Sequence, residues 1–256
     1  MDWTDLIGLA AGFALAMVTT PVGVSGAVFL LPVQLSVLHV PSPRLTPTNL
    51  LFNVVAAPGG LARYRRRGQI EGRLALSLIS GAAPGVAIGA VLRVHVVADL
   101  DTFRLLAAAV LAPVGLLILR TPRRGSWGHE PRPGTLRLLA LVVGVVGGLY
   151  GVGGGSVLAP ILVGLGMPVG RVGPAALACT WVTSIVGVLT YALIALDTTG
   201  PVAPDWSLGI AAGLGGLLGG WCGAALQPHL PERALRLLLG VLALALGGMY
   251  VLQTLV

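Results

Sequence analysis

Two glycine-rich stretches interrupt long apolar segments of the chain. Residues 150–156 read Tyr-Gly-Val-Gly-Gly-Gly-Ser, and residues 22–28, Val-Gly-Val-Ser-Gly-Ala-Val, form a weaker counterpart. Consecutive glycines destabilise a helix by roughly 1 kcal/mol per residue relative to alanine. They also free backbone N–H and C=O groups at a depth where lipid offers no hydrogen-bond partner, so the break must face protein or a water-filled cavity. Two such breaks, at matching places in two halves of a chain, are typical of a transporter's central site.

The composition identifies an integral membrane protein. The chain is 55% hydrophobic and only 10% charged, with a mean hydropathy of +0.92, which is more apolar surface than a soluble interior of this length can bury. Eight apolar segments follow one another at residues 6–39, 46–62, 74–94, 102–119, 138–166, 174–196, 207–226 and 234–253. Six have the length of one membrane span. The first and fifth are too long for one span and contain the glycine breaks, so counting each as two predicts about ten helices.

The chain also repeats itself. An offset of 128 residues aligns Pro32 with Pro160, and an offset of 127 aligns Tyr64 with Tyr191. An ordered series of further proline, arginine and glycine matches continues through both halves. We therefore predict an N-terminal repeat over 1–119, an arginine-rich cytoplasmic linker over 120–137 and a C-terminal repeat over 138–256, integrated into one membrane domain.

The arginine distribution predicts how the halves are oriented. All 16 basic residues are arginine, and five lie in each of the segments 63–73 and 120–137, whereas the loop 197–205 has none. Cytoplasmic loops carry the excess of basic residues. If the fifth segment folds back, thirteen arginines lie inside and three outside, against ten and six if it crosses once. We therefore expect two inverted-topology repeats, each a glycine-broken helical hairpin plus three transmembrane helices, with both chain termini external. Whether each hairpin is a re-entrant loop or a pair of short spans stays open.

The broken segments predict an anion site. Half-helices that begin at the breaks would direct unpaired N–H groups and positive dipole ends to one point. The alternative is that the glycines only allow close helix packing. On the following spans, Asn49 and Asn53 share one helix face, and Thr180 and Ser184 occupy the corresponding helix of the second half; these polar groups bind substrate or join helices. Trp181 and Thr183 are weaker candidates. The candidate substrate-binding residues are Ser25, Gly26, Asn49, Asn53, Gly153, Gly154, Gly155, Ser156, Thr180 and Ser184.

Other chemistries are disfavoured by what the spans lack. None of the nine carboxylates or four histidines falls in the middle of a predicted span, which argues against cation transport and a carboxylate proton relay. Ser156 has no embedded base, so we expect no enzyme. Cys179 and Cys222 lie in apolar segments without a ligand cluster, so no metal or other cofactor is expected. The net charge of +7 is explained by topology and lipid contact rather than by nucleic acid.

Residues 144–160, Gly-Val-Val-Gly-Gly-Leu-Tyr-Gly-Val-Gly-Gly-Gly-Ser-Val-Leu-Ala-Pro, followed by Gly-Met-Pro-Val-Gly-Arg and a helix with Ala-Cys-Thr-Trp-Val-Thr-Ser, resemble the TauE/SafE sulfite exporter family. The resemblance covers nearly the whole chain, although the first half carries fewer glycines. It implies a bacterial inner-membrane permease for sulfite or small sulfur-containing organic anions such as sulfonates. A permease for another small anion and a non-transporting scaffold or complex subunit are the alternatives. Proton co-movement and a homodimer remain open.

Overall fold

The described part of the chain is helical. The computed structural model describes residues 3–36, 42–95, 112, 115–116, 118–120, 132–197 and 203–255, and no strand occurs among them. The helices are α1 (Trp3–Thr19), α2 (Ala27–Ser36), α3 (Ser42–Arg66), α4 (Gly72–His95), α5 (Pro133–Tyr150), α6 (Gly154–Gly164), α7 (Val169–Asp197), α8 (Trp206–Leu226) and α9 (Glu232–Leu255). The predicted fourth segment, 102–119, lies mostly outside the described residues, and so do residues 121–131 of the predicted linker over 120–137. Helix α5 begins at Pro133, within that predicted linker.

Five helical segments within the described ranges are long and apolar enough to cross a membrane. They are Trp3–Val22, Gly72–His95, Pro133–Tyr150, Val169–Leu196 and Trp206–His229. The described residues therefore form the apolar helices that a polytopic membrane protein requires. Helix α3 is 25 residues long but carries arginines at its end, at Arg63, Arg65 and Arg66, and so does not reach the same mean hydropathy.

Both predicted breaks interrupt a helix at a left-handed glycine. Gly23 (φ 75°) follows the short 3₁₀ turn Thr20–Val22, and Gly151 (φ 72°) ends α5. Residues with a Cβ rarely adopt this conformation, whereas glycine does so without steric cost. Gly151 follows Gly23 by the same 128 residues that align the prolines. The first break, although poorer in glycine, therefore shares with the second a left-handed glycine at the equivalent position.

The fourth helix of each half packs against the first helix of the other half. In α4, Gly81, Gly85 and Gly89 lie against the backbone carbonyls of α5, and in α8, Gly215, Gly219 and Gly223 lie against those of α1. A methyl group at Gly85 would lie 2.3 Å from the Leu141 oxygen, and one at Gly219 would lie 2.1 Å from the Phe13 oxygen. Glycine at every fourth residue thus permits backbone contact along both helix pairs.

Helices α3 and α7 cross at the centre and run in opposite directions. Leu50 packs on Gly187 near one end of the pair, and Leu177 packs on Gly60 near the other. Between them, the indole N–H of Trp181 donates to the Val54 carbonyl at 3.2 Å. The two glycine–leucine contacts are equivalent under the 127-residue offset.

Two tyrosines make equivalent bonds to the two broken segments. The hydroxyl of Tyr64 donates to the Thr20 carbonyl and that of Tyr191 to the Gly148 carbonyl, each at 2.9 Å. Both side chains are fully buried, so each hydroxyl needs such a partner. The acceptors precede Gly23 and Gly151 by three residues each. Each of the two tyrosine hydroxyls thereby holds one break against the neighbouring long helix.

Polar contacts define two ends of the bundle. At one, called here the Asp205 end, Ser207 donates to the Asp5 carboxylate at 2.9 Å and Asp205 N–H donates to Thr48 Oγ1 at 2.9 Å. At the other, the Glu71 end, Arg171 donates two hydrogen bonds to Glu71. The hydrogen bond from Arg171 holds the pKa of the Glu71 carboxyl below its ordinary value.

These contacts show where the broken segments begin and return. Helices α1 and α3 both begin at the Asp205 end, so α1 and α2 together leave that end and come back to it. Helix α5 runs alongside α4 from the Glu71 end, and α7 begins there too, with Val169 N–H bonded to Glu232 at 2.9 Å. The α5–α6 segment therefore starts from and returns to the opposite end of the bundle from α1–α2.

Candidate functional site

A polar cluster joins the two breaks at mid-bundle. The backbone N–H of Ser25 donates to Ser156 Oγ at 3.0 Å, and the hydroxyl of Ser25 donates to Asn53 Oδ1. The same hydroxyl accepts from Ala27 N–H at 3.1 Å, so Ser25 caps the first turn of α2. Asn53 lies at the middle of α3, which places this cluster at about half the depth of the bundle.

The long central helices complete the cluster. Asn53 Nδ2 donates to the Val152 carbonyl at 3.4 Å, so α3 binds the second break as well as the first. Thr180 Oγ1 lies 3.4 Å from Ser156 Oγ, close enough for either hydroxyl to donate. Asn53 and Thr180 are equivalent under the 127-residue offset. Each central helix therefore supplies one polar side chain at the same level.

The break glycines allow α6 to begin against α7. A methyl group at Gly153 would lie 2.8 Å from Thr180 Cγ2, and one at Gly155 would lie 1.9 Å from the Ala176 carbonyl oxygen. At Gly26, in the first break, such a group would lie 3.2 Å from Ala16 N. Close packing, the alternative explanation for these glycines, is thus part of the arrangement. It also brings the first N–H groups of α6 to the polar cluster.

Thr183 is closer to the second break than the sequence indicated. Its hydroxyl accepts from Gly154 N–H at 3.3 Å while donating to the Cys179 carbonyl at 2.8 Å. From the sequence, Thr183 is a weaker candidate than Thr180. The sequence did contain a signal for Thr183. Thr180 and Thr183 are three residues apart and share one helix face, so both are expected to contact the same segment.

Two of the predicted residues keep buried polar atoms without a partner. Asn49 is fully buried with neither amide atom hydrogen-bonded, and the buried Ser184 hydroxyl is also unpaired. Leaving a buried donor or acceptor unsatisfied costs about 1–3 kcal/mol per group. Ser184 Oγ would lie 3.1 Å from a methyl group at Gly153, and α3 flanks the same segment through the bond from Thr46 to Leu149. Ser184 therefore adjoins the second break, and Asn49 lies in α3 between Thr46 and Asn53, which both bond this part of the chain.

The polar cluster contains helix N-termini and neutral side-chain dipoles. The N-termini of α2 and α6 meet at Ser25 and Ser156, and an α-helix N-terminus carries about half a positive charge. No side chain that forms the cluster is ionisable. Two converging N-termini with neutral hydroxyl and amide donors have the chemistry of a small-anion site that lacks a permanent countercharge.

A pocket adjoins the cluster on the side of the first break. Ser25, Asn53 and Thr20 line its polar part, and Phe52 and Leu177 line its apolar part. A second pocket, lined by Val24, Ser156 and Leu239 among others, lies across the cluster. Ser25 and Ser156, which are bonded to each other, therefore each border a different pocket.

Comparison with known proteins places the chain in a family. The family model described as Sulfite exporter TauE/SafE matches residues 8–250. A protein of Xylella fastidiosa (strain 9a5c) named "Probable membrane transporter protein" is 27% identical over 230 residues, which cover 86% of this chain and 82% of that protein. No solved structure matches the chain. The chain is thus a multi-pass membrane protein of a transporter family, and it belongs to the TauE/SafE sulfite exporter family.

Proposed function

We propose that this protein is a permease for sulfite or a small sulfonate, and that the anion binds where α2 and α6 meet. The observation that carries the proposal is the hydrogen bond between Ser25 N–H and Ser156 Oγ, because it brings the positive ends of two broken helices to one point at mid-depth. Family membership supports a transporter, and the family description supports a sulfur oxyanion.

The unpaired groups supply the donors that the anion takes. Asn49 has a free amide and Ser184 a free hydroxyl, and both are buried in the long helices α3 and α7 that bond the second break. A sulfur oxyanion presents three oxygen acceptors, so it satisfies such donors together with backbone N–H groups. Because the donors are neutral, binding is strong enough to capture the anion and weak enough to release it. Any proton that moves with the substrate is carried by the substrate's own ionisation.

Inverted repeats supply the two alternating conformations. The equivalent helices α3 and α7 run in opposite directions, which supports a two-fold axis in the plane of the membrane. Under that axis, the contact of Gly23 with Gly173 near the Glu71 end corresponds to the contact of Gly151 with Thr46 near the Asp205 end. Opening one of these contacts while the other stays closed gives access from one side at a time.

The charge distribution supports one orientation in a bacterial inner membrane. Arg63, Arg65, Arg66 and Arg67 lie at the Glu71 end, together with Arg171. The positive-inside rule therefore places the Glu71 end in the cytoplasm and the start of α1 outside. Helix α9 begins beside Val169 at the cytoplasmic end and crosses to bring the C-terminus outside.

The test is flux of sulfite into liposomes that contain the purified protein, with and without a pH gradient. We expect saturable flux that Ser184→Ala lowers, whereas Thr190→Ala retains it, because Thr190 lies on the same helix but bonds only its own backbone at Val186. Flux of a sulfonate without flux of sulfite would assign a sulfonate as the substrate and would leave the proposed mechanism unchanged. No flux of any small anion would favour the scaffold alternative, and equal flux in both variants would refute the site.

A further inference from the structure

Two arginines of α3 stack on one tryptophan of α8. The guanidinium carbons of Arg63 and Arg66 lie 5.1 and 5.0 Å from the ring centroid of Trp221. A cation over an indole face at this distance is attracted by the ring quadrupole. Because both groups lie about 5 Å from one ring, they are at most about twice that distance from each other. The indole therefore holds two positive charges close together at the surface of the bundle.

No carboxylate neutralises this pair. Within the part of the chain that the structure describes, neither Arg63 nor Arg66 forms an ion pair, and Glu71, the carboxylate that follows them in the chain, is bonded to Arg171. The Nε–H of Arg63 is buried and has no acceptor. Stacking occupies the faces of the guanidinium groups and leaves the edges that carry the terminal Nη–H groups for a ligand. Those edges are the donors that bind phosphate oxygens two at a time.

The site lies where a phospholipid headgroup would be. Trp221 lies in the second-last turn of α8. The Arg67 guanidinium donates to the Ala224 and Ala225 carbonyls near the end of that helix, each at 3.4 Å. Tryptophan and arginine at helix ends mark the membrane–water interface. Basic pockets between transmembrane helices on the cytoplasmic side bind acidic headgroups. Trp221 is partly exposed, so a lipid reaches it from the bilayer.

We propose that Arg63, Arg66 and Trp221 form a binding site for the phosphate group of an anionic phospholipid. The site does not depend on the transported substrate. Since α3 belongs to the first half and α8 to the second, a lipid bound there crosses the junction between halves and stabilises their packing. Binding should therefore raise the thermal stability of the whole protein.

The experiment measures binding of phosphatidylglycerol and of phosphatidylcholine to the detergent-purified full chain, by native mass spectrometry and by the melting temperature. We expect phosphatidylglycerol to bind preferentially and to raise the melting temperature. The double variant R63Q/R66Q should bind it about tenfold more weakly, the loss expected for charge-assisted hydrogen bonds. R65Q is the matched control, because Arg65 is exposed in the same segment and does not stack on Trp221.

Several outcomes would overturn the proposal. An equal loss in R65Q and in R63Q/R66Q would mean a general effect of positive charge, and equal binding of phosphatidylcholine would remove the selectivity. The same thermal shift with inorganic phosphate would mean a free-anion site rather than a lipid site. If the double variant does not fold, the single variant R66Q, at an exposed position, is compared with the wild type instead. Unchanged phosphatidylglycerol binding in R66Q would also count against the site.

Discussion

Ser25 and Ser156 are 131 residues apart in the chain, yet the backbone N–H of the first donates to the hydroxyl of the second at 3.0 Å. Each serine lies at the N-terminal end of a half-helix that follows a glycine break. This one bond therefore fixes the distance between the two helix ends whose dipoles are proposed to bind the anion. The predictions below separate residues that hold this arrangement from residues that bind substrate.

Asn49→Leu should separate transport from stability. Both amide atoms of Asn49 are buried and unpaired, so an apolar side chain of similar size removes an unsatisfied group and should leave the melting temperature unchanged or higher. Sulfite flux should fall about 10- to 100-fold, since a hydrogen bond to a charged substrate contributes roughly 1.5–3 kcal/mol. Asn53→Leu is the comparison, and it should lower stability because Asn53 bonds both breaks. A destabilised Asn49→Leu with normal specific flux would contradict the assignment.

Ser156→Ala should destabilise the protein. The substitution leaves the buried N–H of Ser25 without an acceptor, at a cost of about 1–3 kcal/mol. Thermal unfolding in detergent measures the loss. Ser80→Ala is the control, because Ser80 is exposed and its hydroxyl bonds only a carbonyl of its own helix. If the two variants melted at the same temperature, the Ser25–Ser156 bond would have no role in stability.

Gly155→Ala should impair folding rather than only transport. Its methyl group would lie 1.9 Å from the Ala176 carbonyl oxygen, and overpacking of this kind typically costs about 1–3 kcal/mol or more. Gly170→Ala, in α7, meets nothing within 4 Å and should be neutral or stabilising by up to about 1 kcal/mol. The yield of monodisperse protein and the melting temperature distinguish them. A fully stable Gly155→Ala protein would show that α6 and α7 are less closely packed.

Acid should weaken the contact between Glu71 and Arg171. The hydrogen bond from Arg171 lowers the pKa of Glu71 in the folded protein, so the stabilisation is complete above the ordinary glutamate pKa of about 4.3 and is lost as the pH falls through the lower folded value. Both side chains are about one-third exposed, which limits the effect to under about 1 kcal/mol. Melting temperatures between pH 3 and 7 should show this acid-dependent loss in the wild type and a smaller one in Glu71→Gln. Parallel curves would mean that other carboxylates account for it.

Local sequence predicted most of the helices and both breaks. The apolar segments 74–94 and 207–226 became α4 and α8 with small changes at their ends, because helix formation in an apolar medium depends mainly on hydropathy and length. The breaks were predictable because glycine acts on the backbone at its own position, as at Gly23 and Gly151. The offset of 128 residues in the sequence likewise predicts that the two breaks occupy equivalent positions.

The tertiary structure decided which of these residues meet. Nothing in hydropathy indicated that α4 packs on α5 and α8 on α1, since any helix with glycine at every fourth residue can pack closely on another. Ser25 and Asn53 bond each other, whereas Asn49, one turn away on the same helix face, is unpaired, and only the packing of α3 against the breaks separates them. The sequence by itself thus determined the membrane class, the helices and the glycine breaks, which depend on local backbone energetics. The partners of each group in the polar cluster depend on contacts between residues 24 to 131 positions apart, which no local pattern specifies.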